Sequence, residues 1–208
     1  MTLEIWLAFT FASAVLLAIP GPTVMLVVSY ALGRGRSSGW ATVPGVALGD
    51  LTAMTVSLLG AGAVLAASAT LFTALKVAGA IYLVWLGVRL WRASPSLPDT
   101  TEAPAVRHGF AGMFSNAFVV TVLNPKGIIF FVAFVPQFVD PTRPVIAQFA
   151  ILEATFVTLA ALNVIIWAYL AGELRTRFAK PGTLRVLNRL GGVFLIAAGL
   201  VTALARRG

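Results

Sequence analysis

Six long apolar stretches dominate this chain and restrict the folds that it can adopt. They run roughly over residues 3–30, 40–67, 71–91, 109–139, 145–171 and 187–204. Crossing a hydrocarbon core of about 30 Å takes roughly 20 helical residues at a rise of about 1.5 Å each. Hydrophobic residues make up 59% of the chain and charged residues 11%, which leaves too little polar surface for a water-soluble globule. Because the runs also lack the extended period-two alternation of transmembrane strands, we expect an all-α membrane protein with six transmembrane helices.

The positive charges are concentrated between particular spans, which predicts how the helices are oriented. The larger group follows the first, third and fifth spans: Arg34, Arg36, Arg89, Arg92, Arg107, Arg175, Arg177, Lys180, Arg185 and Arg189. The smaller group lies on the other side: Arg143, Arg206 and Arg207. Because connections rich in Lys and Arg stay in the cytoplasm, we expect both termini to lie outside the cytoplasm. The net charge of +8 is then explained by contact with anionic membrane lipids, and nucleic acid is not an expected partner.

The two halves of the chain resemble each other, which predicts an internal repeat. The aligned pairs are Gly79 with Gly191 and Gly87 with Gly199 at an offset of 112, and Pro22 with Pro125 and Asp50 with Glu153 at an offset of 103. Each half holds three spans, and an odd number makes the second half enter the membrane from the opposite side. We therefore predict two inverted three-helix repeats over residues 1–91 and 109–208, joined by a cytoplasmic loop over residues 92–108, in a single transmembrane domain.

A proline motif interrupts the first and the fourth spans at corresponding positions: Pro20-Gly21-Pro22 and Asn124-Pro125-Lys126. Secondary transporters with inverted repeats bind substrate near the midplane, at helices broken by Gly or Pro. Proline removes a backbone donor and frees carbonyl oxygens that can bind a cation or an ammonium. The helix that restarts after the break points the positive end of its dipole at the gap, which suits a carboxylate. The matched breaks therefore favour a site for a zwitterionic amino acid over simple helix kinks.

Four ionisable side chains lie within the apolar spans: Asp50, Lys76, Lys126 and Glu153. Charges at membrane depth cost several kcal/mol by most estimates, about 3 kcal/mol or more, so each needs a partner or a function. Buried carboxylates can carry a proton or hold a substrate ammonium, and Lys126 can pair with an acid or bind a substrate carboxylate. Lys76 can also extend to the membrane surface, and structural ion pairs are the alternative for all four. Two amides, Gln137 and Asn163, either line a polar cavity or make packing hydrogen bonds.

Several of these motifs together resemble the LysE/RhtB family of bacterial amino-acid exporters, over essentially the whole chain. They are Pro20-Gly21-Pro22, the run Gly45 to Gly49-Asp50, Lys76 with Gly79-Ala80 and Tyr82-Leu83, Asn124-Pro125-Lys126, Phe130-Phe131 and Pro136-Gln137-Phe138. The resemblance implies export of amino acids or close derivatives, such as lysine, threonine, homoserine, homoserine lactone or leucine, across the inner membrane and driven by the proton gradient. The candidate substrate-binding or coupling residues are Pro20, Gly21, Pro22, Gly49, Asp50, Lys76, Asn124, Pro125, Lys126 and Glu153.

The leading functional hypothesis is thus a proton-coupled amino-acid exporter, with small-molecule substrate, protons and lipids as partners and no cofactor. A cation exporter of a related family is the first alternative, but one histidine and no cysteine leave few metal ligands, and we expect no metal site. An intramembrane enzyme is the second alternative, yet Asp50 has no second aspartate in the spans and no Ser-His pair is evident. A homodimer is an open alternative to a monomer.

Overall fold

The computed structural model describes residues 1–93, 109–140, 142–178 and 181–204, and the regular structure in these ranges is entirely helical. The helices are α1 Leu3–Ala18, α2 Pro22–Arg34, α3 Gly39–Ala67, α4 Ala69–Arg92, α5 Phe110–Val122, α6 Pro125–Ile129, α7 Val145–Phe178 and α8 Pro181–Leu204. A 3-10 turn over Arg36–Ser38 precedes α3. Helix α6 continues as a π-helix over Phe130–Phe134 and a 3-10 helix over Val135–Phe138. The predicted loop over residues 92–108 lies outside the described residues beyond Ala93, as do His108, Arg107, Lys180, Arg206 and Arg207.

The length and hydropathy of the helices confirm a multi-pass membrane protein. Among the described residues, four segments are long and apolar enough to span a bilayer: Arg36–Val64, Thr73–Arg92, Phe110–Phe138 and Val145–Ala171. Helices α1 and α2 pass the same test together although they are bent by 54°, which makes five spans when the bent pair counts as one. The apolar part of α8, Asn188–Leu204, is shorter, so the sixth span stays a prediction.

Both predicted helix interruptions are present, and proline chemistry explains them. Helix α1 ends at Ala18 and α2 begins at Pro22, where a first-turn residue needs no N–H donor. Helix α5 ends at Val122, and α6 begins at Pro125. The Asn124 side chain caps α6 because its Oδ1 accepts a hydrogen bond from the Lys126 amide at 3.1 Å, which satisfies one of the unpaired N–H groups of the first turn.

An aromatic cluster fills the core beside the second interruption. Its members are Phe9, Phe130, Phe131, Phe134, Phe138 and Phe156, which are buried or partly buried. The Phe131 and Phe156 rings meet edge-to-face with centroids 4.8 Å apart, a geometry that aromatic pairs prefer. The π-helix directs Phe130, Phe131 and Phe134 into this core, so the segment after the break is anchored by packing rather than by regular α-helical geometry.

Helices α4 and α8 approach each other closely at three glycine positions, Gly87, Gly192 and Gly199. A Cβ atom on Gly87 would lie 2.7 Å from the Gly192 carbonyl oxygen, and one on Gly199 would lie 2.7 Å from the Ala80 carbonyl oxygen. At the offset of 112 residues, Gly87 corresponds to Gly199 and Ala80 to Gly192. The two contacts therefore join corresponding pairs of positions in α4 and α8. Small residues of this kind let membrane helices pack backbone to backbone.

Helix α3 offers a matched pair of glycines that tests this packing. A Cβ on Gly45 would lie 2.6 Å from the Phe114 carbonyl oxygen, whereas Gly60 has nothing within 4 Å. We expect Gly45→Ala to lower the free energy of unfolding by about 1–3 kcal/mol through overpacking. Gly60→Ala should raise it by about 0.5–1 kcal/mol, because alanine loses less backbone entropy in a helix. Unfolding of the purified variants in one detergent measures both, and equal shifts would contradict the contact between α3 and α5.

Candidate functional site

The two helix interruptions meet in space, and Lys126 connects them. Its Nζ donates hydrogen bonds to the carbonyl oxygens of Leu16 at 3.1 Å and Ile19 at 2.9 Å. Pro20 lacks the N–H that would bind the Leu16 carbonyl in an unbroken helix, so this carbonyl accepts the Ile19 amide at 3.3 Å and keeps a second lone pair for Lys126. A Cβ on Gly21 would lie 3.4 Å from the same ammonium. The second interruption therefore places a cation directly on the end of α1.

Three small polar side chains form a second bridge between the interruptions. The Asn124 Nδ2 donates to the Thr23 Oγ1 at 3.3 Å, and the hydroxyls of Thr23 and Thr121 lie 3.3 Å apart. Thr23 is in the first turn of α2, and Thr121 is in the last turn of α5. Hydrogen bonds between polar side chains hold helices together inside the bilayer, so these side chains join the two broken spans in addition to Lys126.

A small cavity of about 30 Å³ lies between the interruptions and the middle of α3 and α7. Its polar lining consists of Gly21, Thr23, Asp50, Asn124, Lys126 and Asn163, and its apolar walls include Leu16, Leu17, Val24, Val46, Phe156, Ala160 and Val164. The Asn163 Nδ2 donates to the Leu17 carbonyl oxygen at 3.2 Å, another carbonyl at the end of α1. A volume of this size holds water molecules and not an amino acid.

Asp50 and Lys126 provide the charge in this cavity. Asp50 is 8% exposed, and it attracts Lys126 electrostatically. Both residues belong to the described part of the chain, and no ion pair within 4.0 Å joins them. The Lys126 ammonium is instead held by carbonyl oxygens. A carboxylate and a set of carbonyl oxygens can accept an ammonium, while a lysine and the N-terminal turn of a helix can bind a carboxylate.

The other predicted site residues have different surroundings. Pro20, Pro22 and Pro125 shape the interruptions. Gly49 lies at the contact between α3 and α5, where a Cβ would meet the Thr121 Cβ at 2.8 Å. The Glu153 Oε1 accepts a hydrogen bond from the Thr55 hydroxyl at 2.5 Å. Neither Glu153 nor Lys76 is among the described residues that line the cavity.

Thr23 and Thr121 were not predicted as site residues, although their hydroxyl groups take part in the bridge between the interruptions. Thr23 directly follows Pro20-Gly21-Pro22, and Thr121 precedes Asn124 by three residues, which is about one helical turn. Proximity to a proline motif is the only signal that the sequence offers for either. Of the two amides, Asn163 lines the cavity, whereas Gln137 donates to the Thr202 hydroxyl at 2.8 Å in a packing contact.

Metal-ligating side chains do not gather in the part of the chain that the structure describes, since no three His, Cys, Asp or Glu residues share a place there.

Comparison with known proteins decides the family. The LysE type translocator family model matches residues 14–206. The chain belongs to this family. It is therefore a translocator rather than an enzyme.

Similar proteins match this translocator over nearly their full length. An uncharacterized membrane protein of Vibrio cholerae is 32% identical over 206 residues, which cover 99% of this chain and 100% of the relative. The homoserine/homoserine lactone efflux protein of Salmonella typhi is 31% identical and covers 99% of each chain. The leucine efflux protein of Salmonella choleraesuis is 28% identical over 90% of this chain and 88% of the relative. No solved structure matches.

Proposed function

We propose that this translocator exports amino acids or close derivatives, and that the cavity between the two helix interruptions is its transport site. The observation that carries the proposal is the meeting of both interruptions at one polar cavity lined by Asp50 and Lys126. The carboxylate of Asp50 and the ammonium of Lys126 line one small, largely apolar cavity, and they match the two charged ends of a zwitterion. The site residues Pro20, Gly21, Pro22, Asn124 and Pro125 shape this cavity, and Gly49 positions α3 beside it.

The names of the relatives narrow the substrate class. Homoserine, homoserine lactone and leucine, named for relatives of this chain, share an α-amino group, whereas the lactone has no free carboxylate. Among the described lining residues, Asp50 is the one acid and Lys126 the one cation, and the remaining walls are mostly apolar. No lining carboxylate is left for a second positive charge, so we infer substrates with an α-ammonium and an uncharged side chain.

The transport mechanism that we propose is alternating access by two inverted three-helix repeats, which requires six spans with α8 as the last. The reciprocal contacts of Gly87 with Gly192 and of Gly199 with Ala80 support a pseudo-twofold relation between α4 and α8. The meeting of the two broken spans supports the same relation for the first helices of each repeat. Rocking of one repeat against the other would open the cavity first to one side and then to the other.

The proposed orientation places both termini outside the cytoplasm. Arg189 lies over the Trp91 ring, with its Cζ 5.7 Å from the ring centroid, and Arg89 lies over Trp85 at 5.4 Å. These contacts support a single basic end of the helix bundle, formed by the C-terminal end of α4 and the N-terminal part of α8. An excess of Lys and Arg at one end marks the cytoplasmic side.

Proton antiport is the coupling that we propose, with Asp50 as the proton carrier. A carboxylate attracts an ammonium only while it is ionised, so protonation of Asp50 would weaken the binding of a substrate ammonium. Binding of a proton and of a substrate would then exclude each other, which is the requirement for antiport. Glu153, whose carboxylate is held by Thr55, and Lys76 are proposed only as secondary contributors.

Transport of labelled amino acids by proteoliposomes tests this function. We expect purified protein to exchange labelled leucine or homoserine for the unlabelled molecule, and an imposed pH gradient to drive net movement. Protein-free liposomes provide the baseline. If no amino acid moved while a metal cation crossed the same membranes, the cation exporter would replace the present proposal. A growth test with toxic amino-acid analogues, in cells with and without the protein, would then extend the substrate range.

A further inference from the structure

We propose that the carbonyl oxygens of Leu16 and Ile19 form the ammonium subsite of the transport site, and that Lys126 occupies this subsite until a substrate ammonium displaces it. The proposal rests on the transport function above and adds what each end of the substrate contacts. It assigns Lys126 as an internal competitor of the substrate rather than as a permanent structural tie between the two interruptions.

The ammonium group of Lys126 occupies this subsite in the structure. Two carbonyl oxygens accept hydrogen bonds from one ammonium at 3.1 and 2.9 Å. Pro20 removes the helical donor of the Leu16 carbonyl, which keeps the Ile19 amide at 3.3 Å as a backbone partner and has a second lone pair for the ammonium. A primary ammonium has three donors, and the side chain of Asp50 lines the same cavity. Any primary ammonium of similar size can make the same bonds.

The small volume of the cavity explains why a substrate must displace Lys126 from the subsite. Its volume of about 30 Å³ leaves no room for an amino acid while Lys126 extends across it. A substrate α-ammonium that takes the carbonyl oxygens releases the Lys126 ammonium, which is then free to bind the substrate carboxylate. One zwitterion therefore replaces both hydrogen-bonding interactions of the lysine without leaving a buried charge unpaired.

This exchange predicts different effects of Lys126 on different ligands. A ligand with an ammonium and no carboxylate gains the carbonyl oxygens but leaves the displaced lysine without a partner. Removal of the lysine charge should therefore strengthen the binding of such a ligand. A zwitterion loses the partner of its carboxylate in the same variant. Its affinity should therefore rise less than that of the ligand without a carboxylate, or fall.

L-Leucinamide, which carries an ammonium and no carboxylate, is the probe that separates these cases. We expect its affinity for purified Lys126→Met in nanodiscs to exceed that for the wild type about ten-fold, the scale of one hydrogen bond to a charged group. Lys126→Arg retains a cation in the same place and should not strengthen leucinamide binding. Titration calorimetry at a pH where the amine is protonated measures the affinities of all three proteins. As a control ligand, 4-methylpentanoate lacks the amine and should not bind Lys126→Met more tightly than the wild type.

Equal or weaker binding of leucinamide to Lys126→Met would overturn the proposal and leave Lys126 as a structural tie. If the methionine variant does not give a homogeneous protein, Lys126→Gln takes its place, since a neutral amide still donates to one carbonyl, and the expected direction is the same. Failure of the proposed function looks different, because wild-type protein would then neither bind nor move leucine or homoserine.

Discussion

Replacement of Asp50 by asparagine should abolish export while the protein stays folded and inserted in the membrane. Asparagine has nearly the same shape and keeps a polar group in the cavity, but it cannot ionise. It therefore removes both the attraction for a substrate ammonium and the proton carrier. Loss of a charge-assisted hydrogen bond in a water-poor site is worth about 1.5–3 kcal/mol, so we expect transport to fall at least about ten-fold and, with coupling lost, to the level of protein-free liposomes.

Asp140 provides the matched control for this substitution. It lies in the connection before α7, where the side chain and the backbone amide of Thr142 donate hydrogen bonds to it and hold the pKa of its carboxyl below the usual range. Its side chain also forms an ion pair with Arg143 at 3.2 Å. Asp140→Asn removes a carboxylate of the same chemistry from outside the spans, so we expect wild-type transport. Export by Asp50→Asn at the wild-type rate would exclude Asp50 as the coupling group.

The helix interruptions could be predicted from the sequence because proline acts locally. The missing N–H and fixed backbone angle of Pro20, Pro22 and Pro125 break a helix whatever surrounds them. Their position in two similar halves also indicated that they would lie together, and the structure brings them together through Lys126. Asp50 could be predicted at the same site because a charge in an apolar span needs a polar environment, and it lines the cavity.

The partners within the site could not be predicted, because they depend on how the helices are rotated about their own axes. Lys126 was expected to meet an acid or a substrate carboxylate, yet it binds two backbone carbonyl oxygens. The proline motif indicated that carbonyl oxygens at the break could bind a cation, but not that Lys126 would be this cation. Thr23 and Thr121 look like ordinary helical threonines until α2 and α5 pack together. Gly49 adjoins Asp50 in the chain but faces Thr121, since neighbouring residues on a helix point in different directions.

Joining the two interruptions by a disulfide should stop transport reversibly. The hydroxyl oxygens of Thr23 and Thr121 lie 3.3 Å apart, so cysteines at both positions would have their sulfur atoms close together, and an S–S bond of about 2 Å would need a small adjustment of the two side chains. The natural chain contains no cysteine, so no other thiol competes. In the proposed alternating access, one repeat rocks against the other, which we expect to move the two broken spans relative to each other. The cross-link prevents that movement while leaving Asp50 and Lys126 in place.

The most direct measurement is leucine or homoserine exchange by proteoliposomes that contain the double variant Thr23→Cys/Thr121→Cys, before and after oxidation and again after reduction. The two single-cysteine variants, treated with the same oxidant, control for damage and for cross-links between molecules. Our account predicts exchange in the reduced protein, loss to the liposome baseline on oxidation and recovery on reduction. Unchanged exchange at complete cross-linking would contradict the account, because substrate would then cross the membrane without any movement between the broken helices.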